Sequence, residues 1–148
     1  MLINIPSILS PDLLKILMEM GHGDEIVIAD GNFPAASIAQ ETVSGELIRL
    51  DGHPIAPILK AILGLFPLDQ YVDRPVSLMQ VVPGDPVETP IWDEYRKIIT
   101  DSGRPFTDFE YIERFDFYER AKDAYAVIAT AESALYANII LKKGVIKG

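Results

Sequence analysis

Glu25-Ile26-Val27-Ile28-Ala29-Asp30-Gly31-Asn32 is the stretch on which the fold turns. Five residues without alternation, closed by an Asp-Gly-Asn turn signal, read as a strand buried on both faces, which is the signature of a parallel sheet covered by helices. Upstream, Ser10-Pro11-Asp12 is a helix start: a hydroxyl cap, proline at the first helical position and an acid at the positive end. The helix runs from Leu13 to Met20, with Asp12, Lys15 and Glu19 as its one polar stripe. A stripe that narrow implies that most of the circumference is covered. Gly21 is expected to supply a left-handed stop.

Downstream, strands are expected over Gly45–Leu50, Val76–Val82, Phe109–Glu113, Tyr125–Thr130 and Asn138–Lys142. Helices are expected over Pro57–Phe66, Ile91–Ile99 and Phe115–Asp123. Strands alternating with helices give an α/β fold, a three-layer αβα arrangement around a largely parallel sheet. It is Rossmann-like but carries no dinucleotide fingerprint, for there is neither GxGxxG nor GxxxxGK[ST] nor a GxSxG elbow. With 148 residues and no linker or repeat, the chain reads as one domain, 1–148. Surface scaling predicts about 7,500 Å² of exposed area once folded.

The net charge is −9, from 13 basic and 22 acidic residues, yet the mean hydropathy is positive at +0.18. Such a chain does not attract phosphate backbones, so no nucleic-acid partner is expected. No apolar run reaches membrane-spanning length, and no secretory signal is visible, so a cytoplasmic protein is expected. Zero cysteines exclude thiolate nucleophiles and Cys-based metal sites, and two histidines exclude an all-histidine site, so no metal is expected. Apolar content this high beside so few charges also points to surface covered by other copies of the chain.

Ligands of open α/β sheets bind beyond the carboxyl ends of strands. Asp30 stands at such an end, either to bond ligand hydroxyls or simply to close an Asx-turn. His22, between Gly21 and Gly23 past a helix end, is either an acid–base group near neutrality or an exposed turn residue. Its charged form is expected to be favoured by the helix end and by Asp24. Tyr136-Ala137-Asn138 precedes the last strand, lining a cleft or forming a rim. Arg114 either bonds a ligand or pairs with Glu113 or Asp116; Tyr118-Glu119-Arg120 has a similar surface-pair reading.

Three ordered blocks carry a resemblance across nearly the whole chain: Ser10 to Pro34 with its Met-Gly-His-Gly-Asp-Glu and Ala-Asp-Gly-Asn-Phe-Pro, Arg114 to Ala121, and Tyr136 to Val145. They resemble the fucose mutarotase and ribose pyranase family, nearer the fucose branch. The resemblance implies an isomerase that interconverts sugar anomers without a cofactor, with His22 as general acid and base. It implies that Asp30, Arg114, Tyr136, Ala137 and Asn138 bind the monosaccharide. It also implies ring-like homo-oligomers, often decamers, with sites formed between subunits. Asn32 stands where the fucose branch has a histidine, and Ala137 follows the ribose branch, so ribose pyranase activity or non-catalytic sugar binding stay open as alternatives.

Overall fold

The computed structural model describes residues 1–148, and Ser10 opens α1 (Pro11–Glu19) as expected, its hydroxyl accepting from the Leu13 N–H at 3.2 Å. The far end departs from expectation. Met20 leaves in extended conformation and the left-handed glycine is Gly23, not Gly21. A glycine stop is unnecessary because the Lys143 ammonium reaches back to the carbonyls of Leu17 and Met20, at 2.7 and 2.5 Å. The elements that follow are β1 (Glu25–Ala29), α2 (Ala35–Ala39), β2 (Leu47–Leu50), α3 (Ile55–Leu63) and β3 (Val76–Met79). Then come α4 (Pro90–Asp101), β4 (Glu110–Ile112), α5 (Arg114–Lys122), β5 (Ala126–Thr130) and β6 (Ile139–Lys142).

Two departures have local causes. The single-turn α2 was not expected, being five residues long with no side-chain cap to announce it. Helix α3 begins two residues before Pro57 because the buried Glu132 carboxylate accepts from the Ile55 N–H at 3.1 Å, a cap supplied from 77 residues away.

The six strands lie in the order β2-β5-β1-β6-β3-β4. All neighbours are parallel except around β6, which runs antiparallel to both β1 and β3. Thus β1 is a parallel strand on one side only. Alternation sorts the sheet into two cores. Ile26, Ile28, Ile128, Ile139 and Leu141 face the larger one, under α1, α3 and α4. Val27, Ala29, Val127 and Ile140 face the smaller one, under α2 and α5. This is the expected three-layer arrangement, and the exposed area is 7801 Å².

Helix α5 crosses the sheet from rim to rim with an arginine at each end. The Arg120 guanidinium is no surface partner of Glu119. It forks onto Glu25 at 2.7 and 2.8 Å and reaches Glu110 at 3.1 Å, tying the helix to the first residues of β1 and β4. Glu119 pairs with Lys122 instead.

Candidate functional site

Strands β1 and β3 end, and β6 begins, on the same rim, and there a pocket of about 210 Å³ opens. Asp30, Asn32, Arg114, Tyr136 and Asn138 line it. Four of the six residues expected to form a site are therefore brought together by the topology. Asp30 is both things the sequence left open: Oδ1 accepts from the Asn32 N–H at 3.0 Å, closing an Asx-turn, and the residue still lines the pocket. Burial pushes the Asp30 carboxyl above its usual value, and the Glu132 charge adds to this. The backbone N–H groups of Asn32, Ala137 and Phe33 pull the other way.

The terminal triplet is held from behind by α4. Tyr136 adopts a left-handed φ of 56°, uncommon for a bulky residue, and such strain persists only where neighbours over-determine it. Here the Trp92 indole N–H donates to the Tyr136 carbonyl at 2.8 Å, and the Tyr95 hydroxyl donates to the Ala137 carbonyl at 2.7 Å. Tyr136 Oη donates to Asp85 at 2.7 Å and accepts from the Val82 N–H at 3.3 Å. Asn138 Oδ1 accepts the Asp30 N–H at 2.7 Å, locking the ends of β1 and β6 together. Ala137 itself is fully buried in the larger core and presents no side chain to the pocket.

Arg114 opens α5 and makes neither of the surface pairs considered for it. The Glu113 carboxylate instead caps the helix, accepting from the N–H groups of Phe115 and Asp116. The guanidinium lies 4.5 Å from the Phe115 ring centroid and keeps its donors for the pocket. Rings and hydroxyl-seeking groups thus share one small space, which suits a polyhydroxylated ring better than a phosphate or a flat cofactor.

His22 is not there. It sits before β1, on the opposite rim, so the five residues of the strand, roughly 17 Å, separate it from Asp30. Its acidic partner is Asp69 rather than Asp24: Nε2 lies 3.0 Å from Asp69 Oδ1, while Asp24 accepts the Gly21 N–H at 2.7 Å. The groups missed in the sequence, Asp69, Asp85, Trp92 and Tyr95, act across 40 or more residues and leave no local signal. A larger groove of about 420 Å³ lies on the His22 side, but its lining is aliphatic apart from Phe66 and Lys143, whose ammonium is engaged by the Leu17 and Met20 carbonyls.

The model of the RbsD / FucU transport protein family matches residues 3–146. The fucose mutarotase of Homo sapiens is 52% identical over 146 residues, covering 96% of this chain and 92% of the relative. The solved structure of FucU from Bifidobacterium longum has a TM-score of 0.90 at 57% identity, covering 97% of this chain and 99% of its own. The fucose mutarotase from Streptococcus pneumoniae, solved in complex with L-fucose, has a TM-score of 0.88 at 54% identity, covering 99% and 100%.

Proposed function

Because the chain belongs to the RbsD / FucU transport protein family, we propose that it is a sugar mutarotase that interconverts the α and β anomers of L-fucose or a related deoxyhexose. The observation that carries the reading is the convergence of Asp30, Arg114, Tyr136 and Asn138 on one small pocket. Ala137, although it follows the ribose branch, does not count against fucose, since its side chain is turned into the core.

Opening a hemiacetal requires a proton to leave the anomeric hydroxyl while the bond from C1 to the ring oxygen breaks, its electron pair going to that oxygen. The ring oxygen takes a proton and C1 becomes a carbonyl carbon. Rotation about C1–C2 and closure on the other face reverses both transfers. In this reading His22 is the group that accepts and returns the proton. Asp30, Arg114 and Asn138 orient hydroxyls, and Tyr136 walls the ring. Positioned acid–base catalysis contributes about 10²–10⁴-fold, enough for a sugar that already mutarotates slowly in water.

Such catalysis requires His22 within hydrogen-bond reach of the anomeric centre, and one chain holds it on the wrong rim. The site is therefore completed by His22 of a second copy in a ring-like homo-oligomer, decameric in size. The aliphatic groove beside His22, together with Met18, Ile3 and Ile146, all more than 80% exposed, supports that assembly. It also accounts for α1, of which only Leu13, Ile16 and Leu17 are buried within the chain, contrary to the broad coverage its sequence predicts. No helix is long and apolar enough to cross a membrane, and we assign the enzyme to the cytoplasm.

The test is anomer exchange by saturation-transfer NMR on L-fucose and then D-ribose. Exchange above buffer with L-fucose is expected, and a mixture of inactive His22→Asn and Arg114→Ala proteins should recover part of it. Binding of sugar with no exchange above buffer overturns the enzyme in favour of a binding subunit. Faster exchange with ribose overturns the choice of sugar.

A further inference from the structure

We infer that Asp85 is a further sugar-binding residue, whose free carboxylate oxygen accepts from a hydroxyl other than the anomeric one and so helps to decide which sugar fits. The inference rests on the mutarotase reading and adds to its site. Asp85 lines the pocket together with Asp30 and Arg114, so charged side chains of both signs surround a space of about 210 Å³. Arg114 forms an ion pair with neither acid; its guanidinium lies against the Phe115 ring. The acids therefore keep acceptor capacity for a ligand, and the arginine keeps donors. Two carboxylates repel an acidic ligand, and the guanidinium repels an ammonium. Neutral hydroxyls, each donor and acceptor at once, satisfy all three groups.

A tight turn aims this carboxylate. The Asp85 N–H donates to the Val82 carbonyl at 3.0 Å, with Pro83 second and Gly84 third at a φ of 87°, the left-handed position a type II turn demands. Pro86 then restricts Asp85 to extended backbone. The Tyr136 hydroxyl spans the same turn, accepting from the Val82 N–H at 3.3 Å and donating to Asp85 Oδ2 at 2.7 Å. Because the Trp92 indole fixes Tyr136 in turn, the carboxylate is held in place at the tip of an exposed loop. Oδ2 is thus occupied, whereas Oδ1 has no partner in the chain and is the oxygen left for the sugar. A charged acceptor held in advance gives a strong hydrogen bond without an ordering cost. The anomeric hydroxyl belongs to the histidine, so Asp85 takes one of the three others of L-fucose. Those hydroxyls persist while the ring opens, so the contact strengthens binding of both anomers alike.

Asp85→Asn keeps an amide oxygen for the Tyr136 hydroxyl and puts a neutral N–H donor in place of Oδ1. It should raise the Kd for L-fucose, measured by calorimetry, and the KM in the exchange assay by about 10-fold, with kcat changed less than about threefold. Calorimetry with the 2-deoxy, 3-deoxy and 4-deoxy derivatives of L-fucose then separates a direct contact from a loosened wall. For the derivative that lacks the bound hydroxyl, Asp85→Asn should weaken binding by less than about threefold, while for the other two the loss of about 10-fold persists. A role confined to holding Tyr136 moves all three alike. Wild-type affinity in Asp85→Asn overturns the inference, and so does an equal loss across the derivatives. If the wild type binds L-fucose without exchanging it, the mutarotase reading fails while the calorimetric affinities still decide Asp85; absence of binding overturns both.

Discussion

Replacing Tyr95 by phenylalanine removes a single oxygen atom from the centre of the larger core and tests whether α4 shapes the sugar pocket from behind. Tyr95 is fully buried and donates to the Ala137 carbonyl at 2.7 Å. Burial, with the charges of Glu132, Asp30 and Glu94 adding to it, pushes the phenol well above its ordinary range, so it stays a donor at every working pH. Ala137 is fully buried too, so water cannot replace the lost partner. Leaving a buried acceptor unpaired costs about 1–3 kcal/mol, and the retained ring adds no cavity, so about 2 kcal/mol is the central expectation. At about 2.1 cal/mol/K per residue, the 148-residue chain has an unfolding entropy of about 0.3 kcal/mol/K. The melting temperature should therefore fall by about 6 °C. Calorimetry at fixed protein concentration measures this, and a urea titration should move its midpoint with the slope unchanged. Loosening the Ala137 peptide should also raise KM for L-fucose. A melting temperature within about 1 °C of wild type would refute the claim that this hydrogen bond holds the triplet.

The Asp30 carboxyl is raised in the folded state, chiefly by burial, so its ionisation costs stability as pH rises through the window that begins at its ordinary value of 3.8. Asp30→Asn should therefore melt higher than wild type at pH 7, with a smaller gain at pH 4, while sugar affinity falls; a lower melting temperature at pH 7 contradicts this. Gly144→Ala would bring a Cβ within 2.8 Å of the Asp69 Cα and of the Leu68 carbonyl carbon, so backbone must move, at about 1–3 kcal/mol. The melting temperature should drop, and an unchanged melting temperature contradicts this.

What could be read from the amino-acid order was whatever is encoded locally. The doubly apolar run of β1, the Ser10 cap and the turn at Asp30-Gly31-Asn32 each carry their instruction within a few residues, and the structure follows them. Strand direction does not work that way: Ile139-Ile140-Leu141 looks the same read in either sense, so the antiparallel course of β6 had no signature. Helix α3 starts where a distant glutamate caps it, and α1 ends where a distant lysine collects its carbonyls. The site shows the same division. Asp30, Arg114 and Asn138 were legible by chain position and by family resemblance, and the strand expected between His22 and Asp30 is what sets those two on opposite rims. The acid of His22 was misassigned to Asp24, the neighbour in sequence, when Asp69 is the neighbour in space.

Strand β6 sends Ile139 and Leu141 into the larger core and Ile140 into the smaller, so over these three residues hydrophobicity alone does not choose among pairings offset along its length. A sheet face that is polar on one side rejects a slipped alignment; here that veto is confined to the rim where Lys142 stands opposite Glu25. The choice falls to the strand's two ends, where Asn138 locks onto Asp30 and Lys143 and Gly144 bond back to Gly23 and Pro67. At the first of these ends, two residues that line the pocket thus also act as alignment pins for the centre of the molecule. A substitution at either end that spares the chemistry would still be felt as heterogeneity in the middle of the sheet, as more than one way of laying the same strand.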